Sequence, residues 1–176
     1  MNRRLFTSLK LSLVASVMLA IGASQAHALD GKVYPGSMCV PWTNGYLFQL
    51  SSSAMTNPSS SGWLDLDCPV IHDSIGYNSI TSGWMLVRDR HSSSAVYCNL
   101  NSLYPSGSGF AGSWTPFQYS SNIPSPANAQ SLVFWTGLPA TANQAHDYFS
   151  CHIPPTYGGN ASSIISYSVT EGGPNE

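Results

Sequence analysis

Short apolar or alternating segments recur along most of this chain, and helical periodicity is nearly absent beyond residue 28. Clusters of Ser, Gly, Asn and Pro separate these segments, as in proteins built from many short strands. The pattern predicts an all-β protein, an antiparallel two-sheet sandwich of roughly seven to nine strands that is jelly-roll-like or Ig-like. The predicted strands are residues 45–50, 63–70, 83–88, 95–100, 130–136, 148–153 and 163–169.

The first 28 residues have a different pattern. They begin with the basic sequence MNRR, continue with an apolar run over residues 11–23, and end with the small-residue sequence AHA. This combination predicts a signal peptide that is cleaved near Ala28, so that residues 29–176 form a single β domain. The apolar run is too short to span a bilayer, and we expect no membrane anchor in the mature form. The predicted location is secreted, either periplasmic or extracellular.

Charged residues are scarce, at 8% of the chain. Beyond residue 28, the three basic residues Lys32, Arg88 and Arg90 stand against all eight acidic ones, which gives a net charge of −5. Binding to a nucleic-acid backbone or to an anionic lipid surface depends on clustered Lys and Arg. The composition therefore excludes nucleic acid as a partner.

All four cysteines, Cys39, Cys68, Cys98 and Cys151, lie beyond the predicted cleavage site. An even count in an exported chain predicts two disulfides, for which three pairings are possible. Strand phase directs the last three cysteines towards the core, and a bridge to Cys39 would fix the new N-terminus. We predict the pairs Cys39–Cys68 and Cys98–Cys151. The cysteine spacing matches no zinc pattern.

Four short motifs, YPGSMCV, DCPV, Asp89-Arg90 and SCHIPP, occur between Tyr34 and Val169. In these motifs and in its four-cysteine layout, the chain resembles a group of secreted bacterial proteins. The resemblance covers most of the predicted mature chain and implies an intact exported domain from a bacterium. It brings no activity, ligand or catalytic residue with it.

Residues 63–73, WLDLDCPVIHD, hold three of the eight carboxylates and a histidine. As a strand, this segment directs its leucines and Cys68 to the core, because successive side chains point to opposite faces. Trp63, Asp65 and Asp67 then share the other face, and we take these three as candidate ligand-binding residues. An exposed aromatic ring beside hydrogen-bond acceptors can stack on a sugar ring; the alternative is that the tryptophan is half-buried packing.

The carboxylates of Asp65 and Asp67 allow three interpretations. Arg88 and Arg90 have the same spacing at the end of another predicted strand, which favours charge pairing across a strand ladder. A solvated polar face is the second interpretation. The third is a calcium site with Asp73, but the sequence has no D-x-[DN]-x-[DN]-G loop. We predict no metal site and no cofactor.

Motifs for catalysis are weak. No H-E-x-x-H or G-x-S-x-G pattern is present. The sequence favours a non-enzymatic binding or structural module whose partner is a glycan or a protein. The alternative is a small secreted hydrolase with an Asp or Asp/His site, since Asp65 and Asp67 would lie about 6.6–6.8 Å apart on one strand face.

Overall fold

The computed structural model describes residues 30–42, 47–72, 79–121, 129–135, 138 and 145–172. The predicted signal peptide, residues 1–28, lies outside the described residues, and its cleavage stays a prediction. Within the described part of the chain, no helix is long and apolar enough to cross a membrane.

Twelve strands and one short 3-10 turn make up the described fold. In chain order the strands are β1 (Asp30–Pro35), β2 (Val40–Pro41), β3 (Gln49–Ser51), β4 (Ala54–Thr56), β5 (Leu64–Pro69), β6 (Ser79–Arg88), β7 (Tyr97–Ser106), β8 (Gly109–Trp114), β9 (Gln118–Tyr119), β10 (Gln130–Phe134), β11 (His146–Ile153) and β12 (Ser163–Gly172). The 3-10 turn, Gly36–Met38, lies between β1 and β2.

The strands form two antiparallel sheets, which confirms the predicted all-β two-sheet architecture. Sheet A has the order β10-β6-β12-β4-β3, with β1 also paired to β12. Sheet B has the order β2-β5-β11-β7-β8, with β9 also paired to β7. A hydrophobic core fills the space between the sheets. Its largest fully buried side chains are Tyr167, Phe134, Phe149, Met55, Leu64, Leu66, Ile80, Met85, Leu100, Ile153, Ile164 and Val87.

Each of the seven predicted segments overlaps a strand, but five of the twelve strands were not predicted. The clearest case is β8, which lies in the Ser- and Gly-rich stretch that the sequence pattern indicated as a turn. There the chain reverses at Gly107, whose φ of +58° suits glycine, and β8 pairs with β7 over six residues. Backbone pairing with a neighbour, rather than side-chain pattern, makes this segment a strand.

Both predicted disulfides are confirmed, Cys39–Cys68 and Cys98–Cys151. All four cysteines are buried in the core. Cys98 and Cys151 are direct partners in the register between β7 and β11, so this bridge joins two adjacent strands of sheet B. Two buried disulfides are typical of a protein that folds in an oxidising compartment outside the cytoplasm.

The buried carboxylate of Asp89, in the Asp-Arg motif, connects the ends of several strands. It accepts hydrogen bonds from the backbone N–H groups of His91 and Val96 and from the hydroxyls of Ser120 and Ser162. A fully buried carboxylate needs such donors, because leaving it unpaired would cost several kcal/mol of folding free energy. This part of the motif is therefore structural.

Gly36, in the 3-10 turn between the sheets, provides a test of the packing. A Cβ at this position would overlap the backbone carbonyl of Ile164. We expect Gly36→Ala to lower the free energy of unfolding by about 1–3 kcal/mol, as overpacking does. Gly109→Ala is the matched control, because an added Cβ there meets nothing within 4 Å. Urea unfolding of both variants measures the difference, and equal midpoints would contradict this packing.

Candidate functional site

A row of side chains crosses the outer face of sheet B. Asp65 lies opposite His152, His152 opposite Tyr97, and Tyr97 opposite Tyr119. Trp42 extends the row, since its backbone N–H donates to the carbonyl of Asp65. Paired residues of antiparallel strands point to the same face, so these five side chains are neighbours. Four strand spacings give the row a length of about 19 Å.

The rings on this face are in mutual contact. We call this group the aromatic cluster; it consists of Trp42, Trp63, Tyr97, Phe117, Tyr119 and His152. Tyr97 is at the centre of this cluster. Its ring stacks on the imidazole of His152 with 4.5 Å between the ring centroids. The centroids of the Phe117, Tyr119 and Trp63 rings lie 5.4–5.7 Å from that of Tyr97. Trp42 meets the imidazole of His152 edge-on at 5.5 Å. Such arrangements add stability beyond area burial, so the rings hold one another in position.

Two carboxylates orient rings of the aromatic cluster. The Nδ1 atom of His152 lies 2.6 Å from Asp65 Oδ1, and Trp42 Nε1 donates to Asp67 Oδ1 at 2.5 Å. Burial raises the pKa of Asp67, against the lowering effects of the Trp42 hydrogen bond and of the charges of His146 and His152. No described residue donates to the second oxygen of Asp67. That oxygen is available to a ligand.

A second row of smaller polar side chains runs beside the row that contains His152 and Tyr97. Asp67 lies opposite Ser150, and Ser150 lies opposite Asn99. Ser150 and Asn99 are buried although they point to the outer face, because larger side chains flank them. The next row contains Asn101, with Trp114 opposite it, so the small polar residues form the floor between rows that carry aromatic rings. The outer face therefore combines ring surfaces with hydrogen-bonding groups.

Several rings of the face remain open to solvent. Trp42 is 50% exposed, Tyr119 62% and Trp114 71%, and Phe117 and Trp63 are also exposed. The core on the other side of the sheet is complete without them. A contiguous exposed apolar surface of this kind is characteristic of a binding site.

The structure brings the three candidate residues together. Trp63, Asp65 and Asp67 all lie on the outer face of β5, as the strand phase indicates, and Trp63 contacts Tyr97. The predicted pairing of the two carboxylates with Arg88 and Arg90 is wrong. Those arginines follow β6 in sheet A, whereas β5 belongs to sheet B and has β2 and β11 as neighbours.

Asp65 and Asp67 have other partners than the arginines that their charge led us to expect. Asp65 pairs with a histidine and Asp67 with an indole N–H, and Arg90 instead lies near Asn160, with 3.5 Å between Nη1 and Oδ1. Asp73, the third ligand of the hypothetical calcium site, lies outside the described residues. Among those described, no group of three or more His, Cys, Asp or Glu is arranged to hold a metal ion.

Sequence reasoning missed the centre of the site, which is formed by Tyr97 and His152. Both positions are visible in the sequence as outward-facing residues beside a core cysteine, Cys98 in one case and Cys151 in the other. What the sequence does not show is the register that places the two residues opposite each other. A predicted Cys98–Cys151 bridge is the one signal that could have located the pair, because it makes the adjacent positions neighbours as well.

His72, from the same sequence motif as Asp65 and Asp67, lies in a separate buried cluster. Its Nε2 is 2.7 Å from Asp147 Oδ2 and its Nδ1 is 2.7 Å from Glu171 Oε1. Lys32 Nζ is 2.9 Å from Glu171 Oε2. Two neighbouring carboxylates favour the charged form of an imidazole. The hydrogen bond to Asp147, followed by the charges of Asp147 and Glu171, raises the pKa of His72 despite its burial.

This cluster makes stability depend on pH. Because the folded-state pKa of His72 is raised, its contribution is complete below the unfolded value of about 6.5 and is lost as the pH rises through the folded-state pKa. We expect the midpoint temperature of thermal unfolding of the wild type to fall as the pH is raised from about 6. In His72→Gln, which cannot be protonated, this fall should be smaller. Calorimetry over that range measures both, and identical slopes would contradict the role of His72.

Comparison with known proteins adds a distant structural likeness. No protein-family model matches the chain, and no curated protein matches it. Among solved structures, the new low-affinity xylan-binding module CBM86 from the gut symbiont Roseburia intestinalis matches with a TM-score of 0.41 and 11% identity. The match covers 81% of this chain and 96% of that one. A likeness this distant carries no argument about the ligand of this chain.

Proposed function

We propose that this chain is an exported, non-enzymatic binding module that recognises a glycan through the aromatic cluster. The observation that carries the proposal is the exposed aromatic row beside two oriented carboxylates on one face of sheet B. Aromatic rings present flat apolar surfaces to the C–H faces of sugars, and carboxylates accept hydrogen bonds from hydroxyl groups. Antiparallel sandwiches with this architecture include lectin domains.

The dimensions of the face support a chain-like ligand. The aromatic row extends about 19 Å across five strands, which is the length of several linked sugar rings. Its two ends, Trp42 and Tyr119, are the more exposed rings, while His152 and Tyr97 between them are partly buried. A linear oligosaccharide would lie across the strands, stacking at each end and donating to Asp67 in between.

The export part of the proposal rests on the chain itself. The predicted signal peptide ending near Ala28 and the two disulfides support secretion to the periplasm or the exterior. The likeness of its motifs to those of secreted bacterial proteins supports a bacterial origin. A protein partner on the same face is the competing ligand class.

Ring removal tests the proposal. We expect Trp63→Ala and Tyr119→Ala each to weaken binding of a polysaccharide by about tenfold or more, because each removes a stacking surface. Trp135→Ala is the matched control: Trp135 is 83% exposed at the end of β10, in sheet A. Affinity electrophoresis against a panel of soluble polysaccharides measures retardation, and calorimetry of the best ligand gives Kd.

Two outcomes would contradict the proposal. One is a panel in which no polysaccharide retards the wild type or changes its tryptophan fluorescence, which would favour a protein partner. The other is a loss in Trp135→Ala as large as that in Trp63→Ala. Thermal midpoints of all variants establish that they are folded.

A hydrolase is the second candidate, and the contact between Asp65 and His152 favours it. An aspartate and a histidine joined through Nδ1 are two of the three members of a catalytic triad. Among the described residues, however, no serine, threonine or cysteine hydrogen-bonds to His152. The arrangement therefore orients an imidazole without supplying a nucleophile.

A binding module and a hydrolase differ in whether they cleave the polysaccharide. We expect no release of reducing ends from the polysaccharide panel by the wild type. Turnover that both Asp65→Asn and Asp67→Asn abolish would instead establish the hydrolase. Turnover retained in both variants would place any catalytic site elsewhere.

A further inference from the structure

We infer that the aromatic cluster selects glycans without negative charge, that is, neutral or amino sugars, and rejects uronic-acid and sulfated polymers. This inference rests on the proposed function and adds the class of ligand. It follows from where the few charges of the chain lie.

The lysines and arginines beyond residue 28 all lie away from the aromatic cluster, and the basic groups next to its carboxylates are the imidazoles of His146 and His152. The lysines and arginines of this part of the chain are only Lys32, Arg88 and Arg90. Lys32, on β1 of sheet A, is bound to Glu171 and to the carbonyl of Ile71. Arg88 ends β6 of sheet A, and Arg90 follows it. Among the residues that the structure describes, no lysine or arginine therefore lies on the outer face of sheet B to neutralise an acidic sugar.

Two carboxylates lie at the centre of the aromatic cluster. Asp65 contacts His152, and Asp67 contacts Trp42. Asp67 is partly buried, so water and salt screen its charge less than they would screen a fully exposed carboxylate. A second negative charge placed over it by a ligand would be repelled at short range.

Hydrogen-bond chemistry disfavours an acidic group at the position over Asp67. The free oxygen of Asp67 is an acceptor, and a ligand that covers it must donate, since a desolvated carboxylate without a donor is unfavourable. Sugar hydroxyl and ammonium groups donate, whereas ionised carboxylate and sulfate groups only accept. The floor residues Ser150 and Asn99 are neutral and do not alter this balance.

Matched polymer pairs test the inference. Hydroxyethyl cellulose and carboxymethyl cellulose share one backbone, arabinoxylan and glucuronoxylan share a second, and methyl-esterified and de-esterified polygalacturonate share a third. Near neutral pH and at low salt, we expect the acidic member of any pair that binds to be about tenfold weaker or more. The difference should shrink at about 1 M salt, where screening is strong.

The double variant Asp65→Asn, Asp67→Asn connects the selectivity to these residues. Asparagine keeps the size and an acceptor oxygen for His152 and Trp42, so the rings keep their partners. We expect this variant to bind the acidic member more tightly than the wild type does, which narrows the difference within the pair. Trp135→Ala should leave the difference unchanged.

The outcomes separate the inference from the proposed function. Acidic polymers that bind the wild type as tightly as neutral ones, with sensitivity to Trp63→Ala, would overturn the charge selectivity and leave glycan binding standing. A difference within the pair that the double variant does not narrow would overturn it too. Failure of every polymer to bind would overturn the proposed function itself.

Discussion

The register between β5, β11 and β7 is the constraint on which the rest of this structure depends. Within these strands, side chains alternate between the core and the outer face, so one register determines both. The same pairing that places Cys98 opposite Cys151 inside the sandwich places Tyr97 opposite His152 outside it. A shift by one residue would bury Asp65 and Asp67 and expose the leucines of β5. The same register therefore determines both the packing of the core and the composition of the outer face.

The few charged groups serve two different purposes. At one end of the sandwich, His72 lies between Asp147 and Glu171, with Lys32 beside them, and opposite charges are matched where they are buried. On the outer face of sheet B, Asp65 has a histidine as its partner and Asp67 has an indole N–H. Beyond residue 28 the chain has three lysines and arginines, Lys32, Arg88 and Arg90, and all three belong to sheet A or follow it.

Much of the fold could be predicted from side-chain alternation, and the site could be predicted only in part. Burial alternates along β5 as its sequence indicates, and the phase of three cysteines, together with the expected tie of Cys39 to the N-terminus, led to the correct pairs. The predicted pairing of the two carboxylates of β5 with Arg88 and Arg90 was wrong because matching spacings say nothing about which strands are neighbours. Tyr97 and His152 were missed for the same reason: contacts between distant segments depend on strand order, which one sequence does not encode locally. β8 was missed because its Gly and Ser residues contribute only backbone to the pairing.

The bridge between Cys98 and Cys151 has a consequence for how the protein can meet a ligand. It is a covalent link directly beneath the stacked rings of Tyr97 and His152, in the positions next to them on each strand. Those two strands cannot slide or separate, so the central rings are in place before any ligand arrives and little conformational entropy is lost on association. The same rigidity prevents the surface from remoulding itself around a differently shaped molecule. The rings at the centre of the face are therefore held in fixed positions.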